Sequence, residues 1–314
     1  MNINHYKKIY RDITKYILGT NEFSFIENYQ EKFLYPINLD FTLEEKEFYY
    51  CPMDENGIPY KIYSSVGKQY NPTRIAAYAL SHYNDYMQKN NEDSKEIFLK
   101  CLDWFFSNKE GRYEYNFDWN DLKAPWISCM AQGEAISVLI RGYYLTKDEK
   151  YLQKAQQVSA PFHHEINNNG VLSKIDNHFL FLEEYPSIKQ QYVLNGFFYS
   201  FIGLSEYNFM VKDDEKNKKL YSELINTVEN KISSWGPKYW SYYKIPQNIN
   251  KVNCCTPSYH NLQITQLKYF YSKYPNPNIN KTIINWEKGL NSFFIRMQSC
   301  FCKLVYRIRN KTQR

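Results

Sequence analysis

The sequence predicts a mainly α-helical fold, an incomplete α/α toroid of about four helical hairpins with a small N-terminal β-hairpin region. Three observations predict it. After residue 70, apolar residues recur at helical spacing over eight segments, at about 73–88, 93–108, 128–146, 148–162, 194–212, 214–234, 259–274 and 279–298. These segments come in pairs joined by a few residues, while roughly 20 to 30 residues separate one pair from the next. The first member of a pair is rich in small and apolar residues, as in Ala76-Ala77-Tyr78-Ala79-Leu80 and Phe197-Phe198-Tyr199-Ser200-Phe201-Ile202, and the second is more charged, as in Asp213-Asp214-Glu215-Lys216. A helix apolar on several faces is enclosed, and one with a charged face meets water. First helices therefore line an inner ring and second helices an outer one, without any obvious repeat in the sequence itself.

The elements follow in order. Residues 4–18 carry Ile9, Ile13, Tyr16 and Ile17 at helical spacing among Lys7, Lys8, Arg11 and Lys15, a basic amphipathic helix that docks either on its own domain or on an acidic membrane surface. Residues 22–65 are irregular and aromatic. Within them Tyr49-Tyr50-Cys51 and Tyr60-Lys61-Ile62-Tyr63 flank Asp54-Glu55-Asn56-Gly57, where Asn-Gly favours the positive φ of a tight hairpin turn. This divides the chain into a helix and hairpin region over 1–70 and a toroid over 71–314. Because the helices pair antiparallel, the long connections all emerge at the N-terminal ends of the inner helices. That arrangement gathers Tyr70 to Arg74, Trp126 to Gln132, Glu183 to Asn195 and Tyr242 to His260, and places the expected site there. The run Phe301 to Arg309 again combines apolar and basic residues, a composition suited to weak contact with anionic lipid or to packing on the toroid or in a dimer.

Composition narrows the function. A 314-residue chain with 43% hydrophobic residues has enough apolar surface for a core. Its net charge of +6, from 39 basic and 33 acidic residues, is a mild bias that suits an anionic glycan and does not imply nucleic acid. The 31 tyrosines offer flat faces with a hydroxyl rim, which suits sugar rings, although most such residues are half-buried on helices. Seven cysteines (51, 101, 129, 254, 255, 300 and 302) are odd in number, lack zinc-like spacing, and point to a reducing compartment. Met1 to Lys15 lacks the apolar core of a secretion signal and no apolar run is of spanning length, so a cytoplasmic location is expected, with contact at the inner face of a membrane left open. His163, His164, Glu165, Asp176, His178 and Glu183 form no compact ligand spacing and read instead as a polar connecting hairpin around Asn167 to Gly170, and no Gly-rich loop cradles a phosphate, so neither metal nor cofactor is expected.

Several motifs stand in one order: Tyr78-Ala79-Leu80-Ser81-His82-Tyr83, Trp126 to Ser137, Ala160-Pro161-Phe162, Gly170-Val171, Leu182-Glu183-Glu184-Tyr185-Pro186, Val193-Leu194-Asn195-Gly196-Phe197, Tyr199 to Leu204, Tyr259-His260 and Gln266-Leu267. From about residue 70 to 274 the chain thereby resembles the C-terminal catalytic domain of the D-glucuronyl C5-epimerases, which invert uronic acids within heparan-type polysaccharides. The larger β-rich region of animal members has no room here. The resemblance implies a cofactor-independent epimerase that acts on an anionic, heparosan-like glycan and forms a homodimer.

Inversion at C5 removes a proton α to a carboxylate and returns one to the opposite face, which needs two proton-transfer groups and donors for the enediolate-like charge. By resemblance Glu184 and Tyr259 are those groups, Tyr185 and Tyr242 match further tyrosines of the site, and Tyr70, Arg74, Trp126, Gln132, Asn195, Lys244 and His260 are candidate substrate contacts.

Read without the family, a Glu pair before Pro186 is an ordinary solvated loop. Asn195-Gly196 is a helix cap and a point of close backbone approach, Trp126 either stacks on a sugar or plugs a helix end, and Gln132 and Glu134 either bond hydroxyls or pack. His260 either tunes Tyr259, binds a carboxylate or fills the core. One departure bears on substrate identity: where the family has an Arg after its second catalytic-region tyrosine, Tyr242-Tyr243-Lys244-Ile245 offers Lys244, and Arg74 replaces an uncharged family residue. Two rivals remain, a polysaccharide lyase sharing the C5 proton abstraction and a glycan-binding module whose chemistry has lapsed. Intact Glu184 and Tyr259 argue against the second.

Overall fold

A computed structural model describes residues 3–310; the side chains of Lys7, Lys8 and Ile9 lie outside the described set. In chain order come α1 (Ile3–Leu18), α2 (Asp40–Glu44), α3 (Lys46–Tyr49), β1 (Lys61–Tyr63), β2 (Gly67–Gln69), α4 (Pro72–Lys89), α5 (Glu92–Phe106), β3 (Glu114–Tyr115), β4 (Trp126–Ile127), α6 (Cys129–Thr146), α7 (Lys150–Ser159), β5 (Leu172–Ile175), β6 (Phe179–Leu182), α8 (Leu194–Met210), α9 (Glu215–Lys231), α10 (Pro257–Lys273), α11 (Pro277–Asn291) and α12 (Phe293–Arg309). The strands pair antiparallel as β1 with β2, β3 with β4, and β5 with β6. The chain forms two compact units, a larger one of Ile26–Tyr192 and Gly196–Asn226 and a smaller one of Met1–Phe25, Val193–Asn195 and Thr227–Arg314.

In the larger unit α4 packs on α6, α5 packs on both, and α7 lies against α6. Asn71 caps α4 by accepting from the Thr73 amide, with Pro72 at the first helical position, and Asn91 caps α5 through Ser94. Left-handed Asn90 and Lys147 end α4 and α6. Nearly all of α6 from Ala131 to Gly142 is buried, whereas α7 buries only Tyr151, Lys154, Ala155, Val158 and Ser159, the division between enclosed and outer helices that composition predicts. The approach of α6 to α8 is set by glycine. A Cβ on Gly133 would stand 2.3 Å from the Ser200 Cα, and one on Gly203 would stand 2.2 Å from the Gly133 carbonyl. Farther along the same helices Arg141 forms a fully enclosed two-pronged pair with Glu206 at 2.7 and 2.8 Å, its guanidinium about 5 Å from the rings of Phe33, Tyr35 and Tyr83.

In the smaller unit α10 packs on α11, α12 on α11, and α1 on both α10 and α12. Trp235, Trp240, Trp286, Leu267 and Phe270 fill its core. Arg296 ties the end of α1 to the start of α12 by donating to the carbonyls of Tyr16, Ile17 and Leu290. The basic N-terminal helix therefore does dock on its own unit.

The helices expected from periodicity form close to where they are predicted, with three corrections. The segment 279–298 is broken at Ser292, whose extended backbone (φ −90°, ψ 118°) separates α11 from α12, and the run Phe301 to Arg309 continues α12. Tyr49 closes a short helix, so the expected hairpin around Asn56-Gly57 contracts to one bridge between Met53 and Pro59, with Gly57 at φ 77°. There the Asp54 carboxylate accepts from the Asn56 and Ile58 amides and closes the turn locally, leaving Lys61–Tyr63 to pair forward with β2. The polar connection around Asn167 to Gly170 is a 3₁₀ turn, and the hairpin lies beyond it, where Asp176 and Asn177 both take positive φ between β5 and β6. Among the described residues no helix is long and apolar enough to cross a membrane.

Candidate active site

Glu184 is placed by three neighbours of the larger unit. Strand β6 delivers the chain to it. The Cys129 amide at the start of α6 donates to the Glu183 carbonyl at 3.1 Å, and the Cys129 thiol reaches the Leu182 carbonyl at 3.2 Å. The first turn of α8 leaves room for its side chain, because a Cβ on Gly196 would lie 2.4 Å from the Glu184 Oε2 and 2.6 Å from its Cβ. The close approach expected at this glycine is thus made by the carboxylate arm. Glu184 is buried, and Tyr185 beside it is half-buried.

Both residues line a cleft of about 120 Å³ with Tyr63, Asn71, Thr73, Tyr115, Phe117, Trp119, Trp126, Ser128 and Met130. Its walls come from the N-terminal ends of α4 and α6 and from the connection before α8, the end of the inner helices at which the long connections gather within this unit. Aromatic rings make one wall: Trp126 stacks on Tyr115 at 4.2 Å, and Tyr185 stands 6.1 Å from Trp126. The β3–β4 pairing fixes that stack by setting Tyr115 opposite Trp126, and the indole NH donates to the Phe117 carbonyl. Trp126 is therefore a mostly buried wall of the cleft. The Tyr115 phenol, pushed up by burial, donates to Asn71 at 3.3 Å.

Two further acids lie buried in this unit. Glu183 accepts from Ser173 and from the amides of Gln191 and Tyr192, which holds the loop after β6, and burial pushes its carboxyl up to about 7. Glu134, in the second turn of α6, has one carboxyl oxygen, Oε2, buried without a hydrogen-bond partner. Burial first and the charge of Glu184 second raise its pKa well above the ordinary carboxyl value. Only the packing reveals this, since Gln-Gly-Glu-Ala in a helix carries no sign of it.

The smaller unit holds the other candidates. Tyr242 to Lys244 form a short extended segment, pinned where the Tyr242 amide donates to Trp235, the Tyr243 amide donates to Asn253, and Lys244 bridges to Val193. Burial raises the Tyr242 phenol. Tyr259 stands in the first turn of α10, with 43% of its surface exposed and its ring edge-on to Tyr243 at 5.4 Å.

Several expected substrate contacts have other tasks. His260 is fully buried and stacked on Trp240 at 4.0 Å; its Nδ1 accepts from the Ser241 amide and its Nε2 faces the Trp286 carbonyl at 3.1 Å. Burial pulls its pKa down to about 3, so the ring is neutral and fills the core; it neither tunes Tyr259 by charge nor binds a carboxylate. Gln132 is enclosed as well. Its amide accepts from the Tyr113 amide and donates to the carbonyls of Gly111 and Val158, which fastens a connection to α6. Asn195 is no cap, because α8 begins one residue earlier; its carbonyl accepts from Gln266. The Tyr70 hydroxyl donates to Asp54 at 2.7 Å, and Arg74 donates to the Cys51 carbonyl at 2.9 Å with its pKa lowered by burial; Asn71 and Thr73 between them form the cleft wall instead. The cluster from His163 to Glu183 is held apart by its own bonds, His163 to Asn217 and Glu183 to the loop, and among the described residues no group of three ligating side chains converges.

Residues 107–288 match the D-glucuronyl C5-epimerase C-terminus family. The chain belongs to that family. The matched segment includes Glu184, Tyr185, Tyr242, Lys244 and Tyr259 and leaves out Tyr70 and Arg74. A D-glucuronyl C5-epimerase of Caenorhabditis elegans is 26% identical over 216 residues, 62% of this chain and 35% of the nematode protein. An uncharacterized protein of Methanocaldococcus jannaschii is 25% identical over 166 residues, 52% of each chain. The chain thus spans between about a third and a half of the length of these relatives. Among solved structures, a cellobiose 2-epimerase from Bacillus thermoamylovorans superposes with a TM-score of 0.56 at 11% identity, covering 80% of this chain and 68% of that one. A glycosyl hydrolase of family 88 from Bacteroides vulgatus gives 0.53 at 12% identity over 86% and 85% of the two chains. The α-mannanase BT2949 of Bacteroides thetaiotaomicron gives 0.51 at 14% over 91% and 83%. At such identities the likeness is one of fold, and it bears out the helical hairpins of an incomplete α/α toroid as the fold class.

Proposed function

We propose that the chain is a carbohydrate epimerase that inverts C5 of a uronic acid within an anionic polysaccharide or oligosaccharide of the heparosan type. Family membership supports the reaction class. The observation that carries the reading is the placement of Glu184, a buried acid of the matched segment that lines an aromatic-walled cleft and packs against Gly196. In this reading one of the pair Glu184 and Tyr259 takes the C5 proton, and the electron pair delocalises into the sugar carboxylate. The other member returns a proton to the opposite face, the C4 substituent staying in place throughout. Lys244 offers a cation for the developing charge in place of the family's Arg. Trp126, Tyr115 and Tyr185 offer ring faces for the sugar.

The test is incubation with uronate polymers in deuterated water, following C5 by NMR. Deuterium at C5 together with a new epimer is expected. An unsaturated product absorbing in the ultraviolet would instead mean loss of the C4 substituent and a lyase, and an unchanged polymer across glucuronate- and iduronate-containing substrates would count against both.

A further inference from the structure

The smaller unit presents an amphipathic surface that the chemistry does not use. On α12, Phe294, Met297, Phe301, Leu304 and Ile308 recur at alternating steps of three and four residues, which lines them up along one side of the helix. All five are solvent-exposed, Phe294 at 83%, Phe301 at 68% and Ile308 at 69%. The neighbouring α1 does the same with Tyr10, Ile13 and Ile17, three residues at the same alternating spacing. These helices are not loosely attached ends. Each packs on its own unit, and Arg296 locks them together, so the apolar stripes are what remains exposed after docking is complete. Large rings held in water at this density mark a surface that meets a partner.

Charge selects the partner. Besides the buried Arg296, α12 carries Lys303, Arg307 and Arg309 and not one acidic residue, and α1 contains a single acid, Asp12. A second copy of the chain laid stripe to stripe on α12 would bring together two helices that carry Lys303, Arg307 and Arg309 with no carboxylate on either to answer them. Aromatic and aliphatic side chains flanked by Arg and Lys match instead the boundary between headgroups and acyl chains, where rings enter the apolar layer and cations stay at the anionic headgroups. We propose that the α1–α12 face docks on an anionic lipid surface and holds the enzyme against a membrane. The inference goes beyond the epimerase reading and does not depend on it.

Co-sedimentation of the full chain with phosphatidylcholine vesicles, alone or mixed with phosphatidylserine, tests the proposal. Binding is expected only to the mixed vesicles, with release at high salt. Phe294→Ser and Phe301→Ser each remove one ring from the exposed stripe and should weaken binding at least about tenfold. Arg307→Gln should weaken it about fivefold. Because the two rings are exposed, melting temperatures of the Phe variants should stay within a few degrees of the parent, which separates lost docking from lost folding. Three results would overturn the proposal: no binding to the mixed vesicles at low salt, binding that the two Phe changes leave intact, or a dimer in analytical ultracentrifugation that the same changes dissolve, since a second copy would then be the occupant.

Discussion

The two candidate proton-transfer residues sit in opposite surroundings. Glu184 of the larger unit is buried, and each constraint on it is a packing contact: a glycine that makes room for its carboxylate, a helix amide that fixes the backbone before it, and an aromatic wall at its side. Tyr259 of the smaller unit is substantially exposed, and the rigid part is the core next to it in sequence, where His260 is wedged between Trp240 and Trp286. The position of a buried group is set by its neighbours, so changing a neighbour acts on the chemistry. Around an exposed group, changes in the core beneath it act mainly on stability.

That contrast is broken most severely through Gly196. Replacing it by Ala forces a methyl group into the space of the Glu184 carboxylate, and a displacement of about 1 Å is enough for roughly a 10²-fold loss of kcat. Gly196→Ala should therefore approach the roughly 10²- to 10⁴-fold loss expected of Glu184→Gln, with a folded protein by circular dichroism. Near-parental turnover would mean that Glu184 does not need the position it occupies.

His260→Gln tests the other side of the comparison. Losing the stacked ring should lower stability by about 2–4 kcal/mol in denaturant titration while turnover per folded molecule changes little. The pH dependence carries a sign. The folded state holds His260 neutral down to about 3, whereas an unfolded chain takes up that proton near the ordinary value of 6.5. This contribution is complete above pH 6.5 and is lost as the pH falls towards 3, on the order of a few kcal/mol in all. His82, pulled down to about 4 by burial, adds to the same slope. Glu183, pushed up to about 7, works against it, because a carboxyl protonated in the folded state loses stability as the pH rises from its ordinary value of 4.5 to 7. Comparing parent with His260→Gln cancels the other two, and the variant should lose less stability on acidification. Identical slopes would contradict a buried neutral imidazole.

The helical hairpins were legible in the sequence because enclosed helices such as Ala131 to Gly142 carry apolar residues on several faces and Asn71, Pro72 and Asn91 mark where helices begin. The break at Ser292 was not legible, since apolar residues run on through Leu290, Phe293 and Phe294 with no Gly or Pro between them. For the site, the Glu-Glu-Tyr-Pro motif led to the cleft, but its wall did not follow from pattern. Tyr115 and Trp126 meet through a two-residue ladder too short to leave a period-2 signal. Gln132 and His260 failed as contacts for one reason: a polar residue on an enclosed helix reads the same in sequence whether it faces a ligand or a backbone carbonyl.

The smallest expected effect belongs to Glu134. If burial keeps it protonated, Glu134→Gln exchanges one neutral, similarly shaped group for another and should change kcat/KM by no more than a few-fold between pH 6 and 8. A large loss, or a displaced pH profile, would assign its charge a part in the chemistry and sharpen the picture of the Glu184 surroundings.

The central claim, that Glu184 and Tyr259 serve opposite faces of one C5, is tested most directly by C5 hydrogen exchange in deuterated water with each epimeric polymer as the starting material. Glu184→Gln and Tyr259→Phe should each abolish inversion, yet each should keep exchange with one epimer only, and the two variants with opposite epimers, because each retains one of the two bases. Exchange retained with the same epimer in both variants, or inversion persisting in either, would contradict it.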